Sequence, residues 1–303
     1  MIEIQGLTKT YGDKVAVDDV TFTIAPGRVT GFLGPNGAGK STTMRMIVGL
    51  DRPTRGTALV NGKRYAEHAA PLHEVGALLD AKAIHTGRTA YNHLRAMAAT
   101  HGIDQRRVHE VIAMTGLESV AKKRVGGFSL GMGQRLGLAV ALLGDPATLI
   151  FDEPVNGLDP EGVLWVRRLS RQLAAEGRTV FLSSHLMSEM AQTADHLIVL
   201  GRGRVVADAP VADILAAATG TSVTVRTPRA GDLARLIASA DVTVTNTQAD
   251  LLQVTGLAAA QIGEAAAQAG IALHELTPIT ASLEEAYLSL TENDLEYKTE
   301  LAR

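Results

Sequence analysis

Residues 34–41 read GPNGAGKS, the spacing G-x-x-x-x-G-K-[ST] with which a backbone loop wraps a polyphosphate. Gly34, Gly37 and Gly39 allow the loop to turn its N–H groups inward, with Pro35, Asn36 and Ala38 between them. Lys40 is placed to reach the outer phosphates. Ser41, followed by Thr42, offers a hydroxyl to magnesium, a hard cation that takes oxygen ligands. A second group of residues lies far downstream in LIFDE, Leu149 to Glu153, an apolar run that ends in two acids. Asp152 suits magnesium, directly or through its water, and Glu153 stands where a base could polarise a water molecule. A phosphate loop alone leaves kinase, GTPase and transport ATPase open.

These residues need a scaffold that brings distant segments together. Ile2 to Leu7 and Val20 to Ile24 are short and β-branched, the second closed by Pro26-Gly27, and read as antiparallel strands. Val29 to Leu33 is apolar without alternation, as expected of a strand buried on both faces, and the loop then opens a helix over Ser41 to Leu50. Thr148 to Phe151, Thr179 to Leu182 and His196 to Leu200 are further buried strands with helical stretches among them, so the sheet is expected to be mostly parallel. Residues 85–145 read as a largely helical lobe. From Ser222 the order is βαββαβ plus a last helix through Tyr287, the ferredoxin-like arrangement. Charge divides the chain at the same place: residues 1–220 carry 24 basic and 21 acidic side chains, residues 221–303 only 5 against 11. Two domains are expected, 1–220 and 221–303. Trp165, Met187 and Met190 lie on helical stretches and read as packing residues.

Phe128 to Leu143, FSLGMGQRLGLAVALL, opens an apolar helix from a Ser-Leu-Gly loop and resembles the signature motif of ABC-type ATPases. Leu130 and Met132 depart from its commonest form in the manner of drug and peptide-antibiotic exporter ATPases. Asn156-Gly157-Leu158-Asp159 matches the family's D-loop, and His185 in LSSH its switch histidine. The resemblance covers residues 1–215 or so. It implies an α/β fold, a P-loop NTPase of ABC type with a mostly parallel core, an antiparallel β subdomain and a helical subdomain about 85–145, to which the small α+β ferredoxin-like domain is added. It further implies ATP and Mg2+ as ligands, and a homodimer in which two chains sandwich two ATP molecules head to tail. Each ATP would then lie between the phosphate loop of one chain and Ser129, Gly131, Met132 and Asp159 of the other. Tyr11 becomes the platform for adenine, and His185 holds the γ-phosphate or the attacking water while Glu153 acts as base. Asp80 stands where many members carry a glutamine, and is expected to reach magnesium or its water.

The 303 residues hold no cysteine, which excludes disulfides, thiolate catalysis and cysteine zinc sites. A formal charge of -3 gives no general basic excess for nucleic acid. MIEIQGLTKTYG lacks the apolar core of a signal peptide, and the longest apolar stretch, around Leu136 to Gly144, falls far short of the about 20 residues a membrane helix needs. If the chain serves a membrane it must do so through a partner, and the resemblance implies separate integral membrane permease subunits and a location at the cytoplasmic face of the cell membrane. A soluble ABC-type ATPase that works on ribosomes or DNA is the alternative; one set of motifs and no sustained heptads speak against it. No catalytic constellation appears in the tail, for which a regulatory or dimerising role and a solubilising one stand side by side.

Overall fold

The computed structural model describes residues 1–80, 84–219, 222–279 and 282–291. In chain order the first part comprises β1 (Ile2–Tyr11), β2 (Lys14–Ile24), β3 (Val29–Leu33), α1 (Lys40–Ile47), β4 (Arg55–Val60), α2 (Pro71–Glu74) and β5 (Val75–Leu78). Next come α3 (Ala90–Thr100), α4 (Gln105–Met114), α5 (Leu130–Leu142), β6 (Thr148–Phe151), α6 (Pro160–Ala175), β7 (Thr179–Ser183), α7 (Met187–Thr193), β8 (His196–Gly201) and β9 (Arg204–Pro210). One sheet is antiparallel, ordered β2-β1-β4, and a second is ordered β5-β6-β7-β3-β8-β9. The neighbours from β5 to β8 run parallel, and β9 alone turns back along β8. Strands β3, β6, β7 and β8 are buried along their whole length, so they are mostly apolar without alternation, the exceptions being the buried Thr30, Thr148, Thr179, Ser183 and His196.

The two sheets share one core. Ile2, Ile4 and Ile24 of the antiparallel sheet pack with Ile150 and Ile198 of the parallel one and with Met44 and Ile47 of α1. At its centre the rings of Phe22, Phe32 and Phe181 lie 4.9–6.2 Å apart and tilted, a geometry worth about 0.5–1.5 kcal/mol per pair beyond area burial. Helices α3, α4 and α5 occupy the segment read as a helical lobe.

A second compact unit spans Ala212–Leu290, the first being Met1–Val211. The division thus precedes the expected one at Gly220, which lies outside the described residues. Helix α8 (Val211–Thr219) is followed by β10 (Ser222–Arg226), α9 (Ala230–Ile237), β11 (Thr243–Gln248), β12 (Leu251–Thr255), α10 (Ala259–Gln268), β13 (Glu275–Ile279) and α11 (Leu283–Thr291). The sheet order β11-β12-β10-β13 with antiparallel neighbours is the ferredoxin-like topology. Val223, Val225, Leu233, Leu252, Val254 and Ile262 form its own core. Two strands, β4 and β9, are additional to those expected, and β13 starts four residues later than the expected IALHEL strand, sharing Glu275 and Leu276 with it.

Candidate functional site

The phosphate loop leaves β3 and enters α1. Gly39 precedes the helix at φ +101°, and a Cβ there would stand 2.5 Å from the Ala16 carbonyl, so only glycine fits. The Lys40 ammonium closes the loop, donating to the carbonyls of Gly34 (2.6 Å) and Pro35 (3.2 Å). Thr43 bonds its hydroxyl back to the Gly39 carbonyl at 2.9 Å and fixes the first turn. Burial pushes the Lys40 ammonium below the usual lysine value, and the carboxylates of Glu153 and Asp152 act in the opposite direction. This cation is therefore partly desolvated and faces acids, in a cleft of about 320 Å³ lined by Asn36, Lys40, Ser41, Thr42, Asp152 and Glu153, with Ala16 and Leu79 as apolar wall.

Strand β6 delivers the acids beside the loop. Ser183, at the end of β7, donates its hydroxyl to Asp152 Oδ1 at 2.5 Å and accepts the Glu153 N–H at 3.0 Å. One hydroxyl thus sets both acids. Glu153 has a left-handed backbone, φ +51°, and its carbonyl accepts from Gln134 Nε2 at 2.8 Å. Its side-chain Oε2 meets Nδ1 of His185 at 2.6 Å. An ionised carboxylate only accepts, so the hydrogen of this contact sits on Nδ1, and the other carboxylate oxygen remains able to take a proton from water. The arrangement can hold a phosphate chain at Lys40 and prepare a water at Glu153.

Tyr11 ends β1 with its ring about half exposed. The phenol donates to Asp51 Oδ2 at 3.1 Å, and the Arg45 guanidinium of α1 holds the same oxygen at 2.7 Å. Hydrogen bonding to Arg45 is the main cause that keeps the Asp51 carboxyl below its ordinary value. Lys9 covers the ring with its ammonium 4.8 Å from the centroid. Asp80, two residues past β5, lines a groove that Ser41 and Asp152 also line.

Ser129, Gly131, Met132 and Asp159 do not line the phosphate cleft. Ser129 caps α5, accepting the Met132 N–H at 3.2 Å, and Asp159 caps α6, accepting the Gly162 N–H at 2.9 Å. A hydroxyl that accepts in its cap can still donate its own proton. The two loops are joined: Gly157 has φ +75°, and a Cβ there would stand 2.3 Å from the Leu130 side chain. Sequence reasoning missed Ser183 and Gln134. The first belongs to LSSH and the second to the signature helix, but neither spacing shows what their polar atoms meet.

A family model described as ABC transporter matches residues 17–156, and one described as a domain of unknown function matches 221–284. The chain is 41% identical over 213 residues to a bacitracin transport ATP-binding protein of Bacillus licheniformis, covering 69% of this chain and 70% of the relative. It is 34% identical over 206 residues to a lantibiotic transport ATP-binding protein of Streptococcus pyogenes, 68% of this chain and 89% of that one. A solved structure of an ATP-binding subunit of an ABC transporter overlays with a TM-score of 0.65 at 30% identity, over 71% of this chain and 91% of the other. A dimeric bacterial ABC transporter cassette gives 0.64 at 25% identity, over 70% and 99%. This chain belongs to the ABC transporter ATP-binding proteins and is an ABC ATPase.

Proposed function

We propose that this subunit energises export of a drug, antibiotic or lipid-like cargo through separate integral membrane permease subunits, at the cytoplasmic face of the membrane. The observation that carries the chemistry is the 2.6 Å contact of His185 with Glu153, which itself lines the cleft together with Lys40 and Asp152. The triphosphate binds along residues 34–42, with loop N–H groups and the Lys40 ammonium around the β- and γ-phosphates. Glu153 takes the proton of a water attacking in line, and His185 keeps the carboxylate turned toward it.

The oxygen donors fit Mg2+. Ser41 presents a hydroxyl, and of Asp152 only Oδ1 is engaged among the described residues, which leaves Oδ2 for the ion; Asp80 is the third candidate. Magnesium, when bound, neutralises charge on the β- and γ-phosphate oxygens. Because Ser129, Gly131, Met132 and Asp159 lie away from the chain's own cleft, they are suited to the ATP of a second copy, in a head-to-tail homodimer. The dimeric relative supports that reading. An antibiotic-like cargo is supported by the bacitracin and lantibiotic transport relatives, and the export direction by Leu130 and Met132 in the signature.

Two measurements test the proposal. Lys40→Ala should weaken ATP binding by at least tenfold in a calorimetric titration, and unchanged affinity refutes the phosphate-loop assignment. Tagged chain purified from membranes should bring down an integral membrane protein; recovery with ribosomes or DNA instead refutes the transport role.

A further inference from the structure

Glu153 holds a backbone conformation that residues with a Cβ rarely adopt, and two side chains keep it there. Its N–H donates to Ser183 Oγ at 3.0 Å, and its carbonyl accepts from Gln134 Nε2 at 2.8 Å. Both peptide planes flanking the left-handed residue are thereby pinned, and neither pin uses its carboxylate. Gln134 is 4% exposed. It stands on α5, the helix whose first turn carries the signature residues.

We propose that Gln134 is a positioning residue for Glu153: its amide fixes the turn that aims the carboxylate at His185, and so ties the base to the signature helix of its own chain. This rests on the reading of Glu153 as general base. If the pin slackens, the left-handed turn relaxes and the carboxylate leaves the place from which it takes the proton, whereas the phosphate loop is untouched. The rate should fall and ATP binding should not. The helix itself has another anchor. The Arg135 guanidinium lies over the Trp165 ring, 5.0 Å from its centroid, and donates to the Thr115 carbonyl at 3.1 Å.

The test compares steady-state phosphate release by the full-length chain with that of Gln134→Met, which keeps length and loses the donor, Glu153→Gln, and the double variant. Gln134→Met should lower kcat about tenfold or more and leave KM for ATP within about twofold. On the Glu153→Gln background it should cause no additional loss, since its effect passes through the carboxylate. If Gln134→Met lowers the melting temperature, Gln134→Asn, whose amide is one methylene too short, is measured for the same split between kcat and KM. A donor-deficient variant with wild-type kcat beside an inactive Glu153→Gln overturns the positioning role alone. An equal rise in KM, or losses that add in the double variant, also overturns it. A Glu153→Gln chain that hydrolyses normally removes the base assignment and this inference with it.

Discussion

Replacing Glu153 with Gln separates binding from chemistry, and the structure shows why the change should be clean. The backbone of Glu153 is held through its N–H and carbonyl by Ser183 and Gln134, so the turn does not depend on the carboxylate. Nδ1–H of His185, now 2.6 Å from Oε2, can donate to the amide oxygen instead. What disappears is the basic oxygen. Positioned general bases contribute about 10²–10⁴ in rate, which is about 2.7–5.4 kcal/mol of activation free energy at 1.36 kcal/mol per decade. One negative charge also leaves a cleft that must accept a triphosphate. Glu153 acts on the Lys40 ammonium, and a unit charge about 8 Å from a phosphate at an effective dielectric of 20 contributes about 2 kcal/mol before salt screening. ATP affinity should therefore be kept or rise a few-fold. Phosphate release at saturating ATP measures the first effect, calorimetry the second, and sedimentation with ATP should reveal an accumulated dimer. Steady-state hydrolysis within threefold of wild type would refute the reasoning, as would loss of ATP affinity.

Tyr11→Ala should weaken ATP binding by the about 1–3 kcal/mol that base stacking provides, whereas Tyr11→Phe, which keeps the ring and loses the hydroxyl's bonds to Asp51 and Thr42, should stay well within that loss in a fluorescence competition; equal affinity for all three chains removes the adenine platform. Phe181→Ala should cost about 3–5 kcal/mol in urea unfolding of the first unit, because its ring meets both Phe22 and Phe32. A cost below 1 kcal/mol contradicts the shared core. Asp145 accepts from Arg178 at 2.7 Å and Arg107 at 3.3 Å, and the Arg178 hydrogen bond is the main cause holding its carboxyl below the usual range. A depressed folded value means stabilisation that is complete above the unfolded carboxylate value of about 3.9 and is lost as pH falls through the folded one. The stability gap between wild type and Asp145→Asn should accordingly be steady near neutrality and narrow below about pH 4, and a gap that widens in acid argues against this linkage.

The strands that feed the cleft were legible because burial on both faces leaves a mostly apolar run that does not alternate. Val29–Leu33 and Thr148–Phe151 coincide with the observed bounds. Where the chain is only partly buried the signal fades: RGTALV of β4 has no fully buried residue before Val60 and becomes a strand by pairing with β1. The strand expected within IALHEL starts later, because Ile271 is buried against the second core and pairing with β10 begins only at Glu275. At the site, the phosphate loop, the acids and His185 could be named from local spacing. The left-handed turn at Glu153 could not, since its cause is an amide 19 residues upstream and a hydroxyl 30 residues downstream.

Strands β3, β6 and β7 stand side by side in parallel, with Gly31 and Phe151 both paired to Leu182. The lysine loop, the two acids and the histidine are therefore three successive exits from one ruled grid whose spacing along each strand is about 3.3 Å per residue. An exchange of side chains leaves such a grid intact, but one inserted or deleted residue in any of the three strands would slide its exit by a full step and reverse the faces beyond it. The distance between base, histidine and phosphate is in this sense counted in residues by the sheet's hydrogen bonds. Drift in this chain should thus be far more permissive of substitution than of length change in β3, β6 and β7, while the loops beyond their ends stay free to vary.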